Sequence, residues 1–163
     1  VSGYVWGIDV AISRLAFACA EEHGEAVAVE TLTTRNDATE GERLGLLDRQ
    51  VRLFARLLAA RYQPAVVWVE QPSGRHRALQ LAYVTGVVQA ACFEALRCPV
   101  WTIPSSAWKK RALGDGRGNA TKPQVAEWAT SQGFAFDSQD EADAIGIAVA
   151  GRRVLAAGRW ELA

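Results

Sequence analysis

The chain has 163 residues, half of them hydrophobic and 22% charged, with 18 basic and 18 acidic side chains and therefore no net charge at neutral pH. That composition excludes a disordered or fibrous chain. The length suits one domain, residues 1–163, able to bury roughly 70% of its unfolded surface. No apolar run approaches the ~18 residues of a membrane span, and no charged segment leading into an apolar one opens the chain as a signal peptide would. Cys19, Cys92 and Cys98 are odd in number and lack a C-x-x-C pair. They read as buried free thiols in a reducing compartment, which predicts a cytoplasmic location.

Tyr4-Val5-Trp6-Gly7-Ile8-Asp9-Val10 reads as a buried strand ending near a carboxylate. Leu15 to Ala20 and Ala26 to Leu32 are two further β-prone runs, with Gly24 supplying the turn between them. From Glu42 to Arg61, Leu44, Leu47, Val51, Phe54, Leu57 and Leu58 recur at three- and four-residue spacing, which predicts an amphipathic helix. Pro64 stops it and opens Ala65-Val66-Val67-Trp68-Val69-Glu70, a run without polar alternation, as expected of a central parallel strand covered on both faces.

His76 to Arg97 is apolar nearly all round and predicts a long, well-buried helix with circumference to spare for a subunit interface. Val100 to Ile103 is a short strand, and Lys109 to Leu113 belongs to a short helix. After the glycine-rich loop Gly114 to Asn119, Thr121 and Gln124 form a capping box opening a helix; Ser138 and Glu141 form another, opening the last helix from about Gln139 to Ala157. An antiparallel meander feeding β-α-β crossovers predicts one α/β domain, a mixed five-stranded sheet with helices on both faces.

Asp9 and Glu70 are charged ends of otherwise apolar strands. Burying a carboxylate there costs several kcal/mol unless it meets hydrogen bonds or a cation. Asp140 and Asp143, three apart in the first turn of the last helix, share a face. Four acids at one point repel, and hard oxygen donors in this number suit Mg2+ or Mn2+ rather than zinc. Each acid also has a plainer role. Asp9 can bond a loop, Glu70 can cap the turn at Gln71-Pro72, Asp140 can complement the helix dipole, and Glu141 can serve the capping box of Ser138. Asp143, set among Ala142, Ala144 and Ile145, is hardest to explain away.

Between Gln71 and Lys122 eight cations (Arg75, Arg77, Arg97, Lys109, Lys110, Arg111, Arg117 and Lys122) face only Glu94 and Asp115. A basic face beside an acidic cluster suits a polyanion, though an Arg-rich solvated surface gives the same pattern. The chain has only three lysines, Lys109, Lys110 and Lys122. No H-E-x-x-H or G-x-S-x-G occurs, and Lys122 does not follow a glycine as a P-loop lysine does, which argues against zincins, serine hydrolases and P-loop enzymes.

These residues resemble the RuvC-type Holliday-junction resolvases of the ribonuclease-H-like nucleases. Gly7-Ile8-Asp9 is similar to that family's first acidic motif and Val69-Glu70-Gln71 to its second; Asp140-Glu141-Ala142-Asp143-Ala144-Ile145-Gly146-Ile147-Ala148 is similar to its terminal helix. Trp108-Lys109-Lys110 and Thr121-Lys122-Pro123-Gln124-Val125 resemble its lysine-bearing segments. Where the family reads G-I-D-P-G this chain has Val10-Ala11, and Pro72 and Ser73 stand where some resolvases carry an aromatic wedge.

The resemblance implies a ribonuclease-H-like fold and a homodimer that cleaves four-way DNA junctions in recombination and repair. Two Mg2+ ions per site would act, with Mn2+ able to substitute, leaving 5′-phosphate and 3′-hydroxyl ends. Asp9 would bridge the ions, with Glu70, Asp140 and Asp143 completing their shells, and Lys109 and Lys122 holding the scissile phosphate. Arg75, Arg77, Lys110 and Arg117 would join both lysines in contacting DNA. Competing expectations are a nuclease of the same fold acting on flaps, branched DNA or RNA–DNA hybrids, and a noncatalytic junction-binding protein. An actin-like ATPase or sugar kinase, which shares the G-I-D start, needs two such domains.

Overall fold

The computed structural model describes residues 3–34, 39–72 and 78–158. Strands β1 (Tyr4–Val10), β2 (Arg14–Glu21) and β3 (Val27–Thr33) form the meander, followed by α1 (Glu40–Ala59), β4 (Pro64–Glu70), α2 (Ala78–Leu96) and β5 (Val100–Ile103). Three helices close the chain: α3 (Ser105–Leu113), α4 (Lys122–Ser131) and α5 (Gln139–Ala156). The five-stranded sheet runs β3-β2-β1-β4-β5. The β1/β2 and β2/β3 pairs are antiparallel, and the β1/β4 and β4/β5 pairs are parallel. This is the mixed sheet expected from the sequence.

Alternation along the central strands divides the interior in two. Trp6, Ile8, Phe17 and Val67 turn toward α1 and α2, where they meet Leu47, Val51, Val84 and Val88. Val5, Ala16, Ala18 and Trp68 turn the other way, toward α3, α4 and α5. Every residue of α5 from Glu141 to Gly151 is buried, because that helix lies against β1 and β2 on one side and α3 and α4 on the other. Such a sandwich needs small side chains, and Ala142, Ala144, Gly146, Ala148 and Ala150 supply them.

Local signals account for the helix starts. Thr39 and Glu42 form a capping box ahead of α1, as do Thr121 and Gln124 ahead of α4. Helix α3 begins at Ser105 behind Pro104 and takes in the expected Lys109 to Leu113 stretch, so Trp108 falls inside it. Helix α2 departs further from expectation. It buries one side, through Val84, Thr85, Val88, Ala91, Cys92 and Leu96, and leaves Leu79, Tyr83 and Phe93 at 65%, 47% and 49% exposure. It packs on α1 and near the β4–β5 edge of the sheet, which leaves its far side without a cover among the described residues. By length and composition alone α2 is apolar enough to cross a membrane, which the absence of an uninterrupted apolar run did not anticipate. All three cysteines are free and buried, as expected.

Gly7 sets how closely α5 approaches the sheet. A Cβ there would collide with the backbone of Ala144 and Ala148. Backbone on both sides leaves little room to relax, so Gly7→Ala is expected to cost about 1–3 kcal/mol, the usual range for overpacking. Thermal denaturation followed by circular dichroism should show a midpoint several degrees lower; an unchanged midpoint would mean that α5 is free to slide.

Candidate functional site

The parallel β1–β4 pair explains how two acids distant in sequence meet. Ile8 lies opposite Val69 in that register, so Asp9 and Glu70 emerge side by side at the carboxyl ends of adjacent strands. Ligands of open α/β sheets bind at such ends. Helix α5 starts under the same edge. Ser138 caps it, its hydroxyl accepting from the Glu141 backbone N–H at 3.3 Å, and this places Asp140 and Asp143 on one face. Asp9, Glu70, Asp140, Asp143, Lys109 and Lys122 line one cavity of about 340 Å3.

Asp9 and Asp143 are each only 7% exposed. Burial raises the Asp9 carboxyl well above the ordinary range, and the neighbouring Glu70, Asp143 and Asp140 add to the rise. Burial likewise pushes Asp143 up to about 6, with a hydrogen bond from Gln139 pulling down, Glu70 pushing up, and Lys122 and Lys109 pulling down. Each acid has an identifiable partner. Asp9 has Glu70 beside it, and that neighbour raises its carboxyl further. Glu70 Oε1 accepts from the Trp108 indole N–H at 3.0 Å, and Asp143 Oδ1 accepts from Gln139 Nε2 at 3.2 Å. Asp140 Oδ1 lies 4.0 Å from Lys122 Nζ.

Among the described residues, no three His, Cys, Asp or Glu side chains stand together as a ready-made metal cage. The fit of a divalent cation therefore rests on the donor chemistry. Four carboxylates with hard oxygens share the cavity, and two of them hold protons more tightly than free carboxyls because burial and like charge penalise ionisation. A divalent cation removes that penalty, at the cost of reorienting the hydrogen-bonded carboxylates. The donor set fits Mg2+ or Mn2+.

The other residues singled out from the sequence lie elsewhere. Lys110 faces Asp115 at 3.8 Å, and Arg117 lines a separate cavity with Leu113, Gln124 and Trp128. Arg75 and Arg77 lie outside the described residues. Glu141 is only 8% exposed and does not line the acidic cavity. Its carboxylate accepts from the Asp137 backbone N–H at 2.5 Å and pairs with Arg14 of β2 at 3.4 Å. The return bond of the capping box thus reaches Asp137 rather than Ser138, and Arg14 ties the start of β2 to the start of α5. Nothing in the sequence pattern marks Arg14. Trp108 was visible beside Lys109, but its bond to Glu70 depends on packing between α3 and β4.

No protein-family model matches the chain, and no curated protein matches it by sequence. Solved structures do match. The fold is ribonuclease-H-like, an α/β sheet with helices on both faces, and within that class it is of the RuvC type. RuvC of Thermus thermophilus superposes with a TM-score of 0.73 at 27% identity, covering 96% of this chain and 97% of that one. The same protein in complex with a Holliday junction substrate gives 0.76 at 24% identity over the same shares. The yeast mitochondrial Holliday junction resolvase gives 0.62 at 14% identity, covering 95% of this chain and 81% of that one.

The Asp143 shift makes a prediction about stability. Its carboxyl holds a proton up to about 6 when folded, against 3.8 for the ordinary group. Between those values the folded chain binds more protons than the unfolded one. The contribution to stability is therefore complete below the ordinary value and is lost as pH rises through about 6. Asp143→Asn keeps an oxygen for Gln139 and removes the charge. In metal-free buffer at about pH 8 the variant should melt a few degrees above wild type, and the gap should close near pH 4. Wild type melting higher at pH 8 would contradict this electrostatic account.

Proposed function

We propose that the protein is a divalent-cation-dependent endodeoxyribonuclease that cleaves branched DNA, four-way junctions above all. The observation that carries this reading is the convergence of Asp9, Glu70, Asp140 and Asp143 with Lys109 and Lys122 in one cavity at the carboxyl edge of the sheet. The fold adds support, since the neighbours matching it over nearly its whole length are RuvC, in one case bound to a Holliday junction substrate, and a mitochondrial junction resolvase.

In this reading Asp9, Glu70, Asp140 and Asp143 would hold two cations, and the charges of Glu70, Asp143 and Asp140 all bear on Asp9. Bound there, Mg2+ or Mn2+ would supply water activation and charge stabilisation at the leaving 3′ oxygen. Lys109 and Lys122 line the same cavity and would offset the charge that builds on a phosphate bound there as water adds and the bond to the 3′ oxygen breaks. The products are a 5′-phosphate and a 3′-hydroxyl. Cutting two opposed strands requires two such sites. A homodimer built on the exposed apolar side of α2, where Leu79, Tyr83 and Phe93 face solvent, would provide them.

Asp9→Asn, Glu70→Gln and Asp143→Asn should each abolish cleavage of a four-way junction while leaving binding largely intact, because the amide keeps the shape and loses the charge that holds the cations. A substrate panel of junction, flap, duplex and RNA–DNA hybrid tests the preference. On a cruciform plasmid, paired cuts within one bound lifetime give linear DNA. A monomer producing only open circles would overturn the junction reading, and near-normal cleavage by Asp143→Asn would overturn the site.

Lysine is used sparingly here: 15 of the 18 basic residues are Arg. An ammonium is a compact charge on a flexible stem, whereas a guanidinium is a wide planar fork. Lys122→Arg should therefore slow single-turnover cleavage by more than ~10-fold, about 1.4 kcal/mol of transition-state stabilisation, with little change in junction affinity. Wild-type rates would make Lys122 a general backbone contact.

A further inference from the structure

Trp108 is fully buried in the core between α3, α5 and the sheet, among the largest side chains with no solvent exposure at all. Its ring is clamped: a Cβ at Gly146 of α5 would collide with the six-membered ring. An indole N–H so deep in a protein costs free energy unless it finds an acceptor. The acceptor is Glu70 Oε1, 3.0 Å from Trp108 Nε1, a bond strengthened by the charge of the carboxylate. The face of the same ring meets a cation, with Lys109 Nζ 5.5 Å from its centroid.

These contacts differ in rigidity. Glu70 ends a strand on a side chain with three rotatable bonds, and Lys109 has four, whereas Trp108 is fixed by close packing on a neighbouring helix. An immobile donor bonded to one oxygen of a mobile carboxylate decides where the other oxygen points. Asp9 emerges beside Glu70 at the end of the adjacent strand, so the orientation of the Glu70 carboxylate bears on Asp9 as well.

We infer that Trp108 is a positioning residue for the acidic site: its indole N–H reserves Oε1 of Glu70, so that Glu70 offers a single oxygen to a cation, and its ring face holds Lys109 beside that cation. The inference rests on the divalent-cation reading of the cavity, and it assigns to a core tryptophan a role that burial alone would label packing. Gly146 belongs to the same device, because any larger residue there would displace the ring.

Trp108→Phe removes the N–H and keeps an aromatic ring. Benzothienylalanine introduced at position 108 keeps the bicyclic shape and likewise lacks the N–H, so it remains informative if the Phe variant folds poorly. Mn2+ affinity measured by calorimetry on the metal-free full chain, without DNA, should fall about 10-fold in either variant, the lower end of the range for a lost outer-shell partner. Cleavage should need correspondingly more Mn2+ and recover toward the wild-type rate at saturation, with the KM for DNA unchanged. In a Glu70→Ala background benzothienylalanine at position 108, which keeps the ring face under Lys109, should have no further effect on Mn2+ affinity. Affinity within twofold of wild type for the benzothienylalanine protein would overturn the inference, as would an equal loss in the Glu70→Ala background. Absence of Mn2+ binding by the wild-type chain would overturn the cation reading together with this inference, whereas wild-type binding with an unaffected position-108 variant would overturn the inference alone.

Discussion

Four carboxylates forced into one partly buried cavity are the constraint on which the rest of this structure depends. Two of them, Asp9 and Asp143, are almost wholly removed from solvent and hold their protons more tightly than free carboxyls. Left alone, such a cluster favours separation or neutralisation. The fold does not easily permit separation. Asp9 is held by its pairing with Ala16 of β2, one residue beyond the last β1/β4 pair, and Asp143 sits on a helix with no slack against the sheet. What remains is to hold protons, as the raised Asp9 and Asp143 carboxyls do, or to admit positive charge.

The surroundings can be understood as the means of holding that cluster in place. Gly7 lets α5 come close enough to β1 for Asp143 to reach the edge where Asp9 emerges. Alanines along α5 allow it to be buried on all sides without spreading the layers. Arg14 and Ser138 fix the beginning of α5 through Glu141, so the first helical turn, with Asp140 in it, cannot fray freely. The lysines approach from α3 and α4, elements whose other sides are packed in the same core. Positive charge is therefore delivered to the cavity by rigid pieces, a favourable arrangement for a site in which small displacements alter electrostatics strongly.

Much of this was legible in the sequence, because the relevant signals are local. An apolar run ending in Asp9 or Glu70 announces a strand with a charged tip, and Thr121 with Gln124 announces a helix start. The three-residue spacing of Asp140 and Asp143 puts both on one face whatever the tertiary packing. Interactions made only by packing were not legible. The Trp108 bond to Glu70 spans 38 residues and Arg14 reaches Glu141 across 127, and neither leaves a periodicity or a motif. Helix α2 misled for a related reason. Composition reports how apolar a helix is, but its place by the short edge strand β5 decides how much of it is covered. Lys110 and Arg117 belong to the same basic stretch as Lys109 and Lys122, yet the helical turn of α3 and the loop after it carry them away from the cavity.

Diffraction from crystals soaked in Mn2+ and recorded at the manganese absorption edge tests the central claim most directly, because it locates the cation without relying on any substrate or rate. Two anomalous peaks are predicted in the acidic cavity, within coordination distance of Asp9 and shared among Glu70, Asp140 and Asp143. The Trp108 indole N–H should remain bonded to the Glu70 oxygen turned away from the metal. An occupied manganese position elsewhere on the protein with none in this cavity, or a cavity left empty at saturating Mn2+ with Asp143 still bonded to Gln139, would contradict it.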